Sequence, residues 1–149
     1  MNDKIVLLVE DNPDDVHLTQ HAFKKLEQKV KLQVVNDGVQ ALDYLHPRGS
    51  YTNRNTSPLP SLILLDLKMP RVNGLEVLQQ IRSHKLTQFI PVVILTSSKE
   101  EQDIIDCYSL NANSYIRKPI DFEQFSRAIQ VIVEYWLILN DIPTVKELY

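Results

Sequence analysis

The 149-residue chain holds one cysteine, one tryptophan and three glycines. It has no apolar run approaching the roughly 20 residues that a membrane-spanning helix requires. A lone thiol, Cys107, cannot close an internal disulfide, which fits a reducing compartment. The opening residues Met1–Lys4 carry no basic segment leading into an apolar stretch and a small-residue cleavage site, so no secretory signal is expected. Nor does charge of one sign dominate, since 16 Lys and Arg face 19 Asp and Glu for a net charge of −3. A bulk electrostatic nucleic-acid binder needs a clustered basic face, so direct DNA binding is not expected. Scarce glycine, 44% hydrophobic and 23% charged residues exclude collagen-like and disordered states. The expectation is a cytoplasmic chain with no membrane association. It should form one domain over 1–149, with its core at about 4–140 and a tail at 141–149.

What the sequence does contain is short apolar runs separated by longer helical patterns. Lys4-Ile5-Val6-Leu7-Leu8-Val9-Glu10 is an almost continuous β-branched run, as a strand buried on both faces requires. Similar runs end at Val35, at Leu65 before Asp66, at Leu95 before Thr96, and at Arg117 before Lys118. Between them lie helical patterns. The first is expected from Asp14 to about Gln28, and the fourth should bury Ile104, Ile105 and Tyr108 behind an acidic start. Residues 47–60, rich in Pro, Gly, Ser, Thr and Asn, form a connection longer than most. Five strands alternating with five helices predict an α/β fold: a (βα)5 doubly wound five-stranded parallel sheet in order 2-1-3-4-5 with an extended C-terminal helix.

In such sheets, ligands sit outside the carboxyl ends of the strands, where the strand order reverses. The order 2-1-3-4-5 sets Asp11 beside Asp66, with Glu10 close behind. Carboxylates gathered in one cleft resist ionising together unless a cation intervenes. Mg²⁺ suits an all-oxygen donor set that shares the ion with phosphate oxygens. Thr96 adds a hydroxyl and Lys118 an ammonium at the same edge. Together these are the parts needed to receive and hold a phosphoryl group, with Asp66 as nucleophile and Glu10 and Asp11 as metal ligands.

Four blocks in order carry a family resemblance over about residues 4–135. They are Leu8-Val9-Glu10-Asp11-Asn12, then Leu64-Leu65-Asp66-Leu67-Lys68-Met69-Pro70 with Asn73-Gly74, then Leu95-Thr96-Ser97, and Tyr115-Ile116-Arg117-Lys118-Pro119. The chain resembles the response-regulator receiver domain of two-component phosphorelays. The resemblance implies a flavodoxin/CheY-like fold, an aspartyl phosphate on Asp66 donated by a sensor histidine kinase, and a signalling module that does not turn over substrate. It also implies Mg²⁺ held by Glu10, Asp11, Asp66 and the Lys68 backbone carbonyl. Thr96 and Tyr115 would form the switch pair, Lys118 would contact the phosphoryl group, and the bond before Pro119 would be cis. Phosphorylation would draw the Thr96 hydroxyl inward, let the Tyr115 ring turn from exposed to buried, and repack the surface of helix four, strand five and helix five. The 47–60 loop and Glu134-Tyr135-Trp136-Leu137 resemble the stand-alone regulators paired with cyanobacterial phytochrome-type kinases, so no output domain is expected.

In the last helix, Phe122, Phe125, Ile129, Ile132, Trp136 and Leu139 recur at three- and four-residue steps, one stripe for the core. Val131, Val133, Tyr135, Leu137 and Ile138 fall beside or opposite it, which predicts a dimer or partner face. Other readings fare worse. An aspartyl-phosphate phosphatase usually has an acid two residues past its nucleophile, where this chain has Lys68. No Gly/Ser/Thr-rich phosphate loop follows strand one, which disfavours a flavodoxin-type cofactor binder. His17 and His21 have zinc-pair spacing but no glutamate base, and read as solvated. Cys107 reads as packing, and Asp11 has the alternative reading of a helix cap. A receiver-like module that no longer accepts phosphate is a further alternative, against which stands the full set of acceptor residues.

Overall fold

Strands form where main chain and apolar side chains are both shielded from water, and the runs at 5–9, 62–65 and 92–96 are buried throughout, while the two runs at the sheet edges are buried only in part. The computed structural model describes residues 4–46, 59–119 and 121–143. Most of the expected 47–60 loop, the 144–149 end of the tail and residue 120 lie outside them. The strands are β1 (Lys4–Val9), β2 (Val30–Val35), β3 (Leu62–Leu65), β4 (Val92–Thr96) and β5 (Ser114–Arg117). They alternate with α1 (Pro13–Lys24), α2 (Gly38–Leu45), α3 (Gly74–Ser83), α4 (Glu101–Ser109) and α5 (Phe122–Val133). All ladders are parallel in the order β2-β1-β3-β4-β5, with Val9 opposite Val35 and Leu65, and Thr96 opposite Arg117. The fold is the expected one.

Strand alternation divides the core into two layers. Leu7, Val9, Ile63, Leu65 and Ile94 face α2 and α3, packing on Leu45, Leu78 and Ile81. Val6, Leu8, Leu62, Leu64 and Val93 face α1 and α5, packing on Ala22, Phe125 and Ile129. Each fully buried Leu, Ile or Val contributes roughly 1.5–3 kcal/mol, so the sheet is held from both sides.

Three helical expectations need correction. First, α1 ends at Lys24 rather than about Gln28. The Lys25 and Leu26 N–H groups reach back three residues, to Ala22 and Phe23, so the last turn tightens and stops the helix. Second, α4 buries Cys107, while Ile105 and Tyr108 are each 50% exposed, so that helix turns two large apolar residues outward.

Third, the final helix is not one continuous α-helix. After Val133 it widens into a π-helical segment, Glu134–Leu139, closed by an Asn140 N–H that donates to the Tyr135 carbonyl five residues back. The wider turn rotates the following residues around the axis. Leu137 swings into the core beside Ile132 and Val133, while Leu139 is left 70% exposed. Lys4 Nζ donates to the Leu137 carbonyl, fixing this segment to the start of β1. Val133, still in α5 and four residues after Ile129, is buried by ordinary helical phase and Leu137 by the wider turn, so neither belongs to the expected partner face, and Leu139 does not belong to the core stripe. Val131, Tyr135 and Ile138 remain exposed.

Candidate functional site

The ladders that build the sheet also place the acids. Glu10 N–H donates to the Val35 carbonyl at 3.0 Å and Asp66 N–H to the Val9 carbonyl at 3.0 Å. Each acid thus extends a parallel ladder by one residue, and the two emerge side by side. Asn12, not Asp11, caps α1: its side chain accepts from the N–H groups of Asp14 at 2.9 Å and Asp15 at 3.3 Å. Asp11 is left exposed without that structural duty. Carboxylate oxygens of Glu10, Asp11 and Asp66 lie within 4.8 Å of one another. Among the described residues they are the only such group of three, and their all-oxygen donor set fits a hard divalent cation.

Lys118 arrives from the other side. Its N–H donates to the Thr96 carbonyl at 2.9 Å, continuing the β4–β5 ladder. Its ammonium donates to Glu10 Oε1 at 2.5 Å and to Asp15 Oδ2 at 2.8 Å. The sequence reading missed Asp15, because an acid in a helix first turn is already explained by the helix dipole. The available signal was topological: α1 packs on α5, and Lys118 stands just before α5.

Burial and crowding set the protonation. Glu10, only 2% exposed, has its carboxyl pushed up to about 7, by burial first and then by the charge of Asp66, against the pull of Lys118 and the Asn12 N–H. Burial works against the Lys118 charge, but its bonds to Asp15 and Glu10 outweigh it and raise the ammonium above its ordinary value. The cluster carries more negative charge than one ammonium can balance. A divalent cation there would favour the ionised form of Glu10.

The loop after Asp66 is tightly held. Leu67 N–H donates to Asp66 Oδ1 at 2.9 Å, and Gly74 N–H to the Leu67 carbonyl at 2.9 Å. A Cβ on Gly74 would lie 2.5 Å from the Asp66 carbonyl oxygen, so α3 can begin this close only with glycine. Arg71 adopts a left-handed φ of 64° and pairs with Asp37, which caps α2 through the Gln40 N–H at 2.8 Å. Burial opposes ionised Asp37, yet the Gln40 N–H and Arg71 hold its carboxyl below the usual range. A cleft of about 470 Å³ opens at Asp11 and Leu67, lined also by Lys68, Met69, Asn73 and Asp103.

Thr96 is buried at the end of β4, and its Oγ1 accepts from the Ser98 N–H at 3.3 Å. Tyr115 is half-buried and donates its hydroxyl to the Ser98 carbonyl at 3.4 Å. Ser98 Oγ in turn donates to Asp103 Oδ2 at 2.5 Å, at the start of α4. Both switch candidates therefore meet at Ser98, a residue the sequence reading did not single out and whose small side chain gave no signal. Pro119 is half-buried at the turn into α5, and the exposed Lys68 ammonium lies 4.0 Å from Glu100. His17 and His21 are both exposed, and the His21 ring meets Phe122 edge-on at 5.0 Å.

Comparison with known proteins finds a family and relatives of the same fold. Residues 6–130 match the family described as the response regulator receiver domain. The chain is 42% identical to the probable methanogenesis regulatory protein FilR2 of Methanothrix harundinacea over 141 residues, covering 93% of this chain and 87% of that one. It is 38% identical to the response regulator Rcp1 of Synechocystis, covering 94% and 93%. The Mn²⁺-bound form of Rcp1 superposes with a TM-score of 0.85, covering 95% of this chain and 99% of that one. The phosphorylated cyanobacterial phytochrome response regulator RcpA, 38% identical, superposes with a TM-score of 0.87 and covers 96% and 100%.

Proposed function

The chain belongs to the response-regulator receiver-domain family of two-component systems, and on that premise we propose that Asp66 accepts a phosphoryl group from a sensor histidine kinase. Phosphorylation of an aspartate is general behaviour in this family, and its members bind Mg²⁺ or Mn²⁺ at an acidic pocket. The observation that carries the assignment is the convergence of Glu10, Asp11 and Asp66 beside Lys118 at one sheet edge.

In this reading an Asp66 carboxylate oxygen attacks the phosphorus, the bond from phosphorus to the donor nitrogen breaks, and an acyl phosphate forms. Glu10, Asp11, Asp66 and the Lys68 main-chain carbonyl would hold Mg²⁺, which when bound offsets charge on the transferred oxygens. Lys118 neutralises a phosphoryl oxygen. Thr96 turns its hydroxyl toward another, loosening its hold on the Ser98 N–H. Tyr115, bonded to the same Ser98, then settles further inward, and the start of α4 moves with it. The readout is the α4–β5–α5 face, where Ile105 and Tyr108 are exposed and available to a partner or a second copy. Lys118–Pro119, cis in this reading, sets the turn that presents the ammonium.

The similarity to RcpA and Rcp1 supports a phytochrome-type kinase as donor. We place this signalling activity in the cytoplasm, in a single receiver domain that neither turns over substrate nor binds DNA directly. Among the described residues no helix is long and apolar enough to cross a membrane. Val131, Tyr135 and Ile138, with Leu139, form the exposed apolar end of the C-terminal helix, which a second copy or the kinase would cover. Sedimentation velocity over a concentration series tests the dimer, and a monomer both with and without phosphorylation removes it.

Intact mass spectrometry after incubation with acetyl phosphate tests the acceptor. One Mg²⁺-dependent phosphoryl adduct, absent from Asp66→Asn, is expected. An adduct that survives in Asp66→Asn would move the acceptor elsewhere.

A further inference from the structure

Lys118 is held by two carboxylates, and only one of them belongs to the convergent acids. Its ammonium bonds Glu10 at 2.5 Å and Asp15 at 2.8 Å. Glu10 Oε2 also accepts from the Asn12 N–H at 3.3 Å, so both Glu10 oxygens are engaged. A divalent cation and Lys118 are therefore rivals for the same carboxylate. Asp15 stands outside that rivalry. Its N–H is held by Asn12 at 3.3 Å, and its carbonyl accepts from Thr19 Oγ1 at 2.8 Å, which fixes its backbone on the first turn of α1.

We propose that Asp15 is a positioning residue that keeps the Lys118 ammonium in place when a divalent cation claims Glu10; this rests on the reading of Asp66 as a metal-dependent phosphoacceptor. The Lys118 side chain is 11% exposed. Stripped of Glu10 with no second carboxylate, it would be a nearly buried and uncompensated charge. Asp15 removes that penalty, so Glu10 is released to the metal while Lys118 stays where it is. Of the three ammonium protons, those not committed to Asp15 are then free for a phosphoryl oxygen on Asp66.

Calorimetric titration of the full chain with Mn²⁺ tests this in a double-mutant cycle. Asp15→Asn should weaken Mn²⁺ binding about tenfold, as expected for loss of a charge-assisted bond, and Asp15→Glu should restore it to within about threefold. Lys118→Ala should tighten binding by removing the rival. Adding Asp15→Asn to Lys118→Ala should then change affinity less than about twofold. Equal weakening in both backgrounds would make Asp15 merely a distant negative charge and overturn the proposal. Unchanged affinity on the wild-type background would overturn it too. A purely structural role would lower the urea midpoint of every Asp15 variant without this dependence on Lys118. If wild-type Asp66 takes no phosphoryl group while the Mn²⁺ cycle behaves as expected, the phosphoacceptor reading fails and the Asp15–Lys118 assignment stands.

Discussion

Two partly buried cations sit at opposite edges of the same sheet, and they are satisfied in different ways. At the amino edge, Arg82 donates to the carbonyls of Asn111 at 3.0 Å, Gln88 at 3.1 Å and Ile90 at 2.8 Å, and to Asn113 Oδ1 at 2.8 Å. These acceptors are neutral, most of them main chain, and burial alone lowers the Arg82 pKa. At the carboxyl edge, Lys118 bonds two carboxylates and its pKa is raised. Amide oxygens do not titrate, and main-chain ones cannot swing away to a new partner, so Arg82 is a fixed tie between α3, β4 and the turn before β5. Carboxylates can do both, so the partners of Lys118 are exchangeable. The first arrangement supports the fold, and the second leaves room for chemistry.

The comparison breaks most visibly at Arg82. Arg82→Ala leaves several acceptors unpaired and should lower unfolding stability by about 4 kcal/mol in urea titrations. Phosphoryl uptake by the folded fraction should be unchanged, and Arg82→Lys, lacking the fork, should recover less than about half of the loss. A loss under about 1 kcal/mol would show that the tie at the amino edge is dispensable.

At the carboxyl edge the expected effect depends on pH. Because folding raises the Glu10 pKa from 4.5 to about 7, the folded chain binds this proton more tightly than the unfolded chain. Glu10 is then least unfavourable below about 4.5, and stability falls as pH rises from there to about 7. The difference between wild type and Glu10→Gln across that window should be on the order of 3 kcal/mol in chelator. Saturating Mg²⁺ should shrink it. A slope identical in the two proteins would remove Glu10 as its source.

Gly74→Ala drives a methyl group toward the Asp66 carbonyl and should destabilise by about 2 kcal/mol while slowing phosphoryl uptake. A loss of stability with unaltered uptake would separate the loop's packing from the chemistry. The smallest effect separates neighbours: Asn12→Ala should lose about 1 kcal/mol of helix cap, whereas Asp11→Ala should leave urea stability unchanged or higher. Equal losses would mean that Asp11 has a structural role after all.

The division between the edges also explains what could be read from the sequence. The strands, their order and the acids at their ends were legible because buried parallel strands are continuous apolar runs and topology decides which ends meet. Glu10, Asp11, Asp66, Thr96 and Lys118 needed nothing more. Asp15, Ser98 and Arg82 were not legible, because each acts through a partner far away in sequence and carries no local signature. The C-terminal end of α1 and the phase of the last helix were misread for another reason. Periodicity assumes a constant number of residues per turn, and the chain abandons that number after Lys24 and again after Val133.

That second departure has a bearing on how the surface could diversify. A π-helical turn is equivalent to one residue inserted into an α-helix, so deleting one residue within 134–139 would return the segment to α-helical phase. Such an indel would exchange inward and outward residues beyond Val133 in a single step. The carboxylates and Lys118, at the far end of the strands from Lys4 and its Leu137 anchor, would be untouched. A lineage built on this scaffold could thus re-key what it associates with by changing chain length at one point, leaving its acidic cluster constant.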